Sequence, residues 1–296
     1  MTDLSICIIT LNSRDKLRAC LESIEQYPPK DSFEILVTDN ASNDGTVEML
    51  QKDFPYVKVF RNERNEGFTR PNNQMLHRAK GEFLLLLNAD TEVIEDCFGP
   101  QIQFLRDNPC VGVSIPKVLN QDGTFQKQSR RGEARPKEVI GYFLKRLARR
   151  YKNDRELNGY LMSWLPQDEI AEVYAVSGSC MFIRRKTWEQ VGDLDERFFA
   201  YQEDSDYCMR ARKLGWKVMY VPITRIIHHG GQGGSQARRW NSNWHWHRSY
   251  FLYYKKHFKD EYSWLINCGM YFLMVLKFLY SILELLIAQP KRQKSG

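Results

Sequence analysis

Four apolar runs of strand length, spaced by stretches of helical character and each closing on a polar side chain, constrain the fold of this chain more than any other feature. Leu4–Thr10 reads LSICIIT and Phe33–Asp39 reads FEILVTD, with a helical pattern over Arg14–Gln26 between them. A short run at 57–60 and a continuous one, EFLLLL at 82–87, follow, with a helix expected at 72–79. An unbroken apolar run of that length suits a parallel strand covered on both faces. Strands alternating with helices at this spacing predict right-handed βαβ units, hence an α/β, doubly wound and mostly parallel sheet with helices on both faces.

In such a sheet ligands bind beyond the carboxyl ends of the strands. Those ends carry Thr10 and Asn12, Asp39, Asn62, then Asn88, Ala89 and Asp90. A dinucleotide-binding domain would place GxGxxG after the first strand, where this chain has Leu11-Asn12-Ser13-Arg14-Asp15, so NAD and FAD are disfavoured. Asp39 opens a polar loop, DNASNDG, and its carboxylate can accept hydrogen bonds from a nucleobase or a ribose. Asp90 emerges from the apolar run, placed to hold Mg²⁺ or Mn²⁺ against a diphosphate. Imidazole can join carboxylates on such an ion, which makes His228 and His229 metal candidates; adjacent residues on a strand face opposite ways, so one of the two is expected at the site.

Beyond Ser177, helices are expected at 186–191 and 204–214 and strands at 218–221 and 225–228, before the glycine-rich stretch 230–234. Glu203, Asp204 and Asp206 cluster at the start of the second helix, where the helix dipole alone favours carboxylates. A carboxylate there can also act as a general base toward an acceptor hydroxyl. Residues two apart do not share a helical face, so Asp204 and Asp206 are not both expected at the chemistry.

Together these stretches resemble the family 2 glycosyltransferases, in particular the bacterial rhamnosyltransferase-like branch. The resemblance spans roughly residues 4 to 234 and rests on ICIITLNSRDKLRACLESI, EILVTDNASNDGTVEML, RNEGFTRPNNQML, GEFLLLLNADTEV, VSGSCMFIRRKTWEQVGDLDERFF, YQEDSDYCMRARKLGWKVMYVP and IIHHGG, in that order. It implies a GT-A fold, a nucleotide-diphosphate sugar donor and an inverting single displacement onto a glycan or lipid-linked hydroxyl, with dTDP-rhamnose the leading donor. It further implies that Asp39 binds the nucleotide, that Asp90 closes the metal motif written DxD, that Asp204 of the Glu203-Asp204 pair is the base, and that His228 or His229 completes the metal site. Asn65, Gly67 and Asn73 match donor-loop positions, and Ser177 and Gly178 join Thr10, Asn12, Asn88 and Ala89 among the candidate substrate contacts. Two departures stand out: the first DxD position is Asn88, and Leu11 replaces the usual aromatic before Asn12.

The reading divides the chain into residues 1–235, with a nucleotide-sugar half (1–100) and an acceptor half (101–235), and a C-terminal helical segment, 236–296. Its net charge of +7 is concentrated: between Arg130 and Arg155 ten Lys or Arg face three carboxylates, so that segment alone carries +7. Within it Ile140, Phe143, Leu144 and Leu147 share a helical face bordered by Lys145, Arg146, Arg149 and Arg150, a pattern suited to lying on anionic lipid or to gripping an acceptor's diphosphate. Residues 264–288 are mostly apolar and long enough to cross a bilayer. Asn267, Lys277, Ser281 and Glu284 form one narrow polar stripe along them, which favours a helix lying in the membrane interface, or pairing with a second copy, over a span. Seven cysteines without a CxxC pair fit a reducing cytosol, and a peripheral position on the inner face of the cell membrane is expected. Two rivals remain: a nucleotidyltransferase acting on a sugar phosphate, disfavoured by the lack of a glycine-rich phosphate loop carrying lysine, and a nucleic-acid-binding protein, disfavoured by balanced charge outside the basic segment.

Overall fold

The computed structural model describes residues 2–136, 159–230 and 239–287. Its first half follows the expected alternation: β1 (Leu4–Thr10), α1 (Arg14–Gln26), β2 (Phe33–Asp39), α2 (Thr46–Asp53), β3 (Lys58–Arg61), α3 (Thr69–Leu76) and β4 (Phe83–Asn88). In α1, Leu17, Cys20, Leu21 and Ile24 recur at helical spacing and are almost fully buried against the sheet. Helix α3 starts three residues earlier than the pattern suggests. Its Pro71 lies in the first turn, where a missing N–H leaves no intrahelical bond unmade.

Then follow β5 (Thr91–Val93), α4 (Phe98–Asp107), β6 (Val111–Leu119), β7 (Arg130–Arg131), β8 (Ala171–Glu172), β9 (Ala175–Val176), β10 (Cys180–Arg184), α5 (Arg185–Val191), α6 (Glu203–Lys213), β11 (Lys217–His228), α7 (Arg239–His257) and α8 (Trp264–Ile287). The main sheet runs β3-β2-β1-β4-β10-β6-β11-β5, with β8 on the side of β11. Strands β1 to β4 pair in parallel, as do β6 and β11. Strand β10 lies antiparallel between β4 and β6 and joins the two halves of the molecule into one sheet. The two strands expected at 218–221 and 225–228 are one strand, β11, whose register breaks between Tyr220 and Arg225, around Pro222. A proline cannot donate to the ladder, so the pairing slips there without ending the strand.

Helices α7 and α8 pack on each other and, through Tyr253, Tyr254, Phe258 and Met270, form a second apolar cluster with Phe198 and Ala134. The basic amphipathic stretch proposed at 140–150 lies outside the described residues. Two members of the charge cluster around it are not surface groups: Arg130 is buried between the Phe125 and Tyr220 rings, and Arg131 is buried in the site described next.

Candidate functional site

Strand register aligns the polar ends. Thr10 pairs with Asp39, Ile9 with Asn88 and Asp39 with Arg61, so Thr10, Asp39 and Asn88 end neighbouring strands on one rim. The Asp39 carboxylate is fully buried and accepts the Ser42 N–H at 3.1 Å, with the Arg61 guanidinium 3.8 Å away. Asn12 accepts the Asn43 N–H at 2.9 Å, tying the loop after β1 to the loop after β2. Asn40 reaches the carbonyl of Gly67 at 2.7 Å, while Asn65 accepts the Gly67 N–H at 2.9 Å, which fixes the Asn65–Gly67 turn over the same rim. Gly67 has φ +83°, and a Cβ there would stand 2.3 Å from the Phe199 carbonyl, so only glycine lets this turn meet the loop before α6.

Beyond β4, Asn88 and Asp90 meet His228 from β11. The His228 Nε2 lies 3.0 Å from the Asn88 amide nitrogen and 3.2 Å from an Asp90 carboxylate oxygen. The tautomer follows from Gln126, whose amide nitrogen donates to Asn120 (3.2 Å) and to the His228 carbonyl (3.3 Å). Its Oε1, 2.9 Å from His228 Nδ1, therefore accepts the imidazole proton there. That leaves the Nε2 lone pair facing a carboxylate at 3.2 Å, two electron-rich groups that a cation can bridge. Neighbouring ligands of an octahedral ion at ~2.1 Å stand about 3 Å apart, so the pair fits two positions of such an ion. Among the described residues no three His, Cys, Asp or Glu side chains form a metal cage, so further ligands would come from substrate and water. Burial opposes charge on Asp90, but where the imidazole carries a second proton, its hydrogen bond and charge, with the charge of Lys16, outweigh burial and lower the Asp90 pKa below the usual carboxylate value. His229 turns the other way, to Glu92 at 3.3 Å, so His228 alone stays with Asp90, as the alternation along a strand requires.

Across β10, the Ser177-Gly178-Ser179 connection is shared. The Ser179 carbonyl accepts the Asn88 N–H at 3.0 Å, and the Gly178 N–H donates to Asp204 at 3.2 Å. Asp204 and the Asn88–Asp90 turn are thereby held to adjacent residues of one backbone segment, although more than a hundred positions separate them in the chain. Asp204 is also paired with Arg131 at 2.6 Å, the guanidinium itself held to the Val176 carbonyl at 2.9 Å. Asp206 takes no part here: it is enclosed by Arg210, His257 and Lys256 at 2.9, 2.8 and 2.5 Å. The Glu203 carboxyl is buried with no partner for its Oε2 among the described residues, and burial, reinforced by the Asp204 charge, pushes its pKa well above the usual carboxylate value. The adjacent carboxyls are thus set apart: burial favours the neutral form of Glu203, and Asp204 has a buried counter-charge.

Four non-glycine residues with positive φ flank this rim: Asn12 (47°), Ala41 (67°), Tyr201 (69°) and Gln202 (67°). Each costs about 1–3 kcal/mol and is kept where the surroundings demand it, a concentration characteristic of binding and catalytic loops. Asn73 is not on the open rim. Its amide is consumed by the Leu194 backbone, 2.9 Å to the carbonyl and 3.0 Å from the N–H, so it secures the loop leading to α6 instead of facing a ligand. Three groups at the site were not singled out from the sequence: Gln126, Arg131 and Lys16. The cluster of carboxylates and histidines carried the signal, whereas a lone Gln or Arg beyond β6 carries none.

A family model described as "Glycosyl transferase family 2" matches residues 5–162. An N-acetylglucosaminyl-diphospho-decaprenol L-rhamnosyltransferase of Mycobacterium tuberculosis is 28% identical over 246 residues, covering 77% of each chain. Among solved structures, GalNAc-T7 with UDP, GalNAc and Mn²⁺ superposes with a TM-score of 0.56 at 22% identity over 77% of this chain. The mannosyltransferase PcManGT from Pyrobaculum calidifontis, in complex with GDP-Man and Mn²⁺, gives 0.56 at 16% identity over 83%. The chain spans 44% and 62% of those two proteins, and the fold they share with it is GT-A.

Proposed function

The chain belongs to glycosyl transferase family 2, and from that premise we propose that it moves a sugar from a nucleotide diphosphate to a hydroxyl of a lipid-linked or glycan acceptor, with inversion. The observation that carries this reading is the shared β9–β10 connection, which ties the leaving-group end, Asn88–Asp90, to the carboxylate end, Asp204. In this reading Asp39 and the loops at Asn12 and Asn65–Gly67 hold the nucleoside and donor. Asp90 and His228 would hold a divalent ion, which when bound neutralises charge gathering on the departing diphosphate. Asp204 takes the proton of the acceptor hydroxyl while its oxygen forms a bond to the anomeric carbon. The bond from that carbon to the diphosphate oxygen breaks on the opposite face, and its electron pair leaves with the nucleoside diphosphate. Arg131 orients the Asp204 carboxylate and balances its charge until the proton arrives.

Rhamnose is the leading sugar, a choice supported by the name of the mycobacterial relative, and dTDP is the leading nucleotide. A panel of dTDP-, UDP- and GDP-sugars tested with Mn²⁺ for thermal stabilisation checks it, since a ligand at 100 times its Kd adds about 2.7 kcal/mol. The dTDP-rhamnose sample should show the largest rise in Tm and should release dTDP when acceptor is added. Release of pyrophosphate would overturn glycosyl transfer in favour of nucleotidyl transfer.

Gln126→Leu provides a narrower check. Without the acceptor at Nδ1, the His228 ring loses its fixed tautomer, and losing the group that orients a metal-binding imidazole weakens metal binding by roughly 10–100-fold. The Mn²⁺ concentration giving half-maximal activity should rise by that factor while activity at saturating Mn²⁺ recovers; an unchanged Mn²⁺ requirement would remove Gln126 from the site.

A further inference from the structure

Helix α8 is built inside out for a helix in water. Its polar residues face the protein: Asn267 accepts from the Tyr254 hydroxyl at 2.7 Å, Lys277 sits 3.6 Å from the centre of the Trp246 ring, and Ser281 accepts from the Asn243 amide at 3.0 Å. Three residues of the polar stripe, Asn267, Lys277 and Ser281, therefore lie on the seam against α7, and Glu284 lies outside it. The outer surface is left to apolar side chains: Trp264, Leu265, Phe272, Leu279, Leu286 and Ile287 are each 51–78% exposed. Glu284, near the C-terminal end, is the only charged side chain on that surface. A soluble monomer rarely shows a contiguous apolar patch beyond a few hundred Å². Twenty-four residues at 1.5 Å each make this one about 36 Å long.

We propose that the outer face of α8 lies in the acyl-chain region of an anionic bilayer, with α7 as the platform joining it to the catalytic domain. Turning polar groups inward and apolar ones outward is favourable only where the outer medium is itself apolar. Charge complementarity identifies that medium as lipid: the sequence after Glu284 contains Lys291, Arg292 and Lys294 and no carboxylate side chain, a flank suited to anionic headgroups. The attachment is monotopic, because one side of α8 is occupied along its length by α7, which carries Arg248, Lys255 and Lys256 and is bound to the catalytic domain. Those bonds lead to the site: Ser249 donates to the Ala200 carbonyl at 2.8 Å, Arg248 to the Arg197 carbonyl at 2.6 Å, and His257 meets Asp206 at 2.8 Å, two residues from Asp204. A membrane-bound α8 thus holds the acceptor end of the site at the lipid surface, the place for an acceptor carried on a lipid; this last step alone rests on the proposed function.

The experiment is flotation of the full chain with vesicles of phosphatidylcholine containing phosphatidylglycerol, with wild type compared to the double variant Phe272→Asp, Leu279→Asp. Both side chains point away from α7, so far-UV circular dichroism and Tm should be preserved, while the floated fraction should fall at least ten-fold. In the wild type, acyl-brominated lipid should quench a Trp emission component that Trp264→Phe removes. Equal flotation of wild type and double variant would overturn the proposal, as would release of the wild type from vesicles by 0.5 M NaCl, since headgroup attraction would then suffice. It would also fall if light scattering showed the double variant converting a dimer to a monomer with flotation unchanged, because the face would then bind a second copy. None of these readouts uses catalysis: a chain that floats but transfers no sugar keeps this inference and loses the proposed function.

Discussion

Asp204→Asn should lower the transfer rate at saturating substrates by about 10³-fold, within the range that removal of a general base produces, while the Kd for the donor stays within about two-fold of wild type. The substitution keeps the shape of the side chain and an oxygen for the Gly178 N–H, but an amide cannot take the acceptor proton. It also strips the buried Arg131 of its counter-charge, and removing one partner of a buried pair costs about 3–5 kcal/mol, so Tm should fall as well. Rates must therefore be compared at a temperature where both proteins retain native circular dichroism. Glu203→Gln separates chemistry from structure: burial already favours the neutral form of Glu203, so an isosteric amide should leave the rate within a few-fold of wild type. If Asp204→Asn lost donor binding as steeply as turnover, or if Glu203→Gln were the more damaging change, Asp204 would not be the base.

That assignment shows where the sequence was informative. Strand ends were legible because burial on both faces of a parallel sheet demands continuous apolar runs, and Leu4–Thr10 and Phe33–Asp39 emerge with their boundaries unchanged. The alternation along β11 was legible too, and it sends His228 to Asp90 and His229 to Glu92. Strand β10 went unread, since an antiparallel insertion between two parallel blocks leaves no periodic signature of its own, and β6, which pairs with it and in parallel with β11, went unread as well. Arg131 could not be seen for a related reason: its meeting with Asp204 is a long-range contact created by β7 pairing with β9. Three residues of the polar stripe of α8, Asn267, Lys277 and Ser281, do share one face, whereas Glu284 stands apart on the outer surface. Amphipathicity gives the two faces of a helix, and only the presence of α7 decides which face is inward.

Asp90→Ala should abolish the dependence of donor binding on metal, so that the donor Kd measured in Mn²⁺ rises to the value measured in EDTA, and kcat/KM should fall by about 10³-fold, the several kcal/mol attributed to Lewis-acid stabilisation of a leaving group. The geometry explains why one residue carries so much. Among the described residues only Asp90 and His228 stand as a carboxylate–imidazole pair at the end of β4, and Asn88 supplies an amide where the family pattern has a second carboxylate. The Asn88 amide donates to the His228 lone pair, a bond that an incoming ion must displace, so metal should bind weakly alone and tightly only with the diphosphate. Asn88→Asp removes that competition and adds a charge; it should tighten Mn²⁺ in the absence of donor by ten-fold or more, readable by titration calorimetry. His228→Ala should resemble Asp90→Ala, and combining the two should add little, because residues acting as one unit are not additive. Donor affinity in Mn²⁺ that survives Asp90→Ala undiminished would show that the diphosphate is held without this pair, and the charge on the leaving group would then have to be met by Lys16 and the helix α1 terminus beside it.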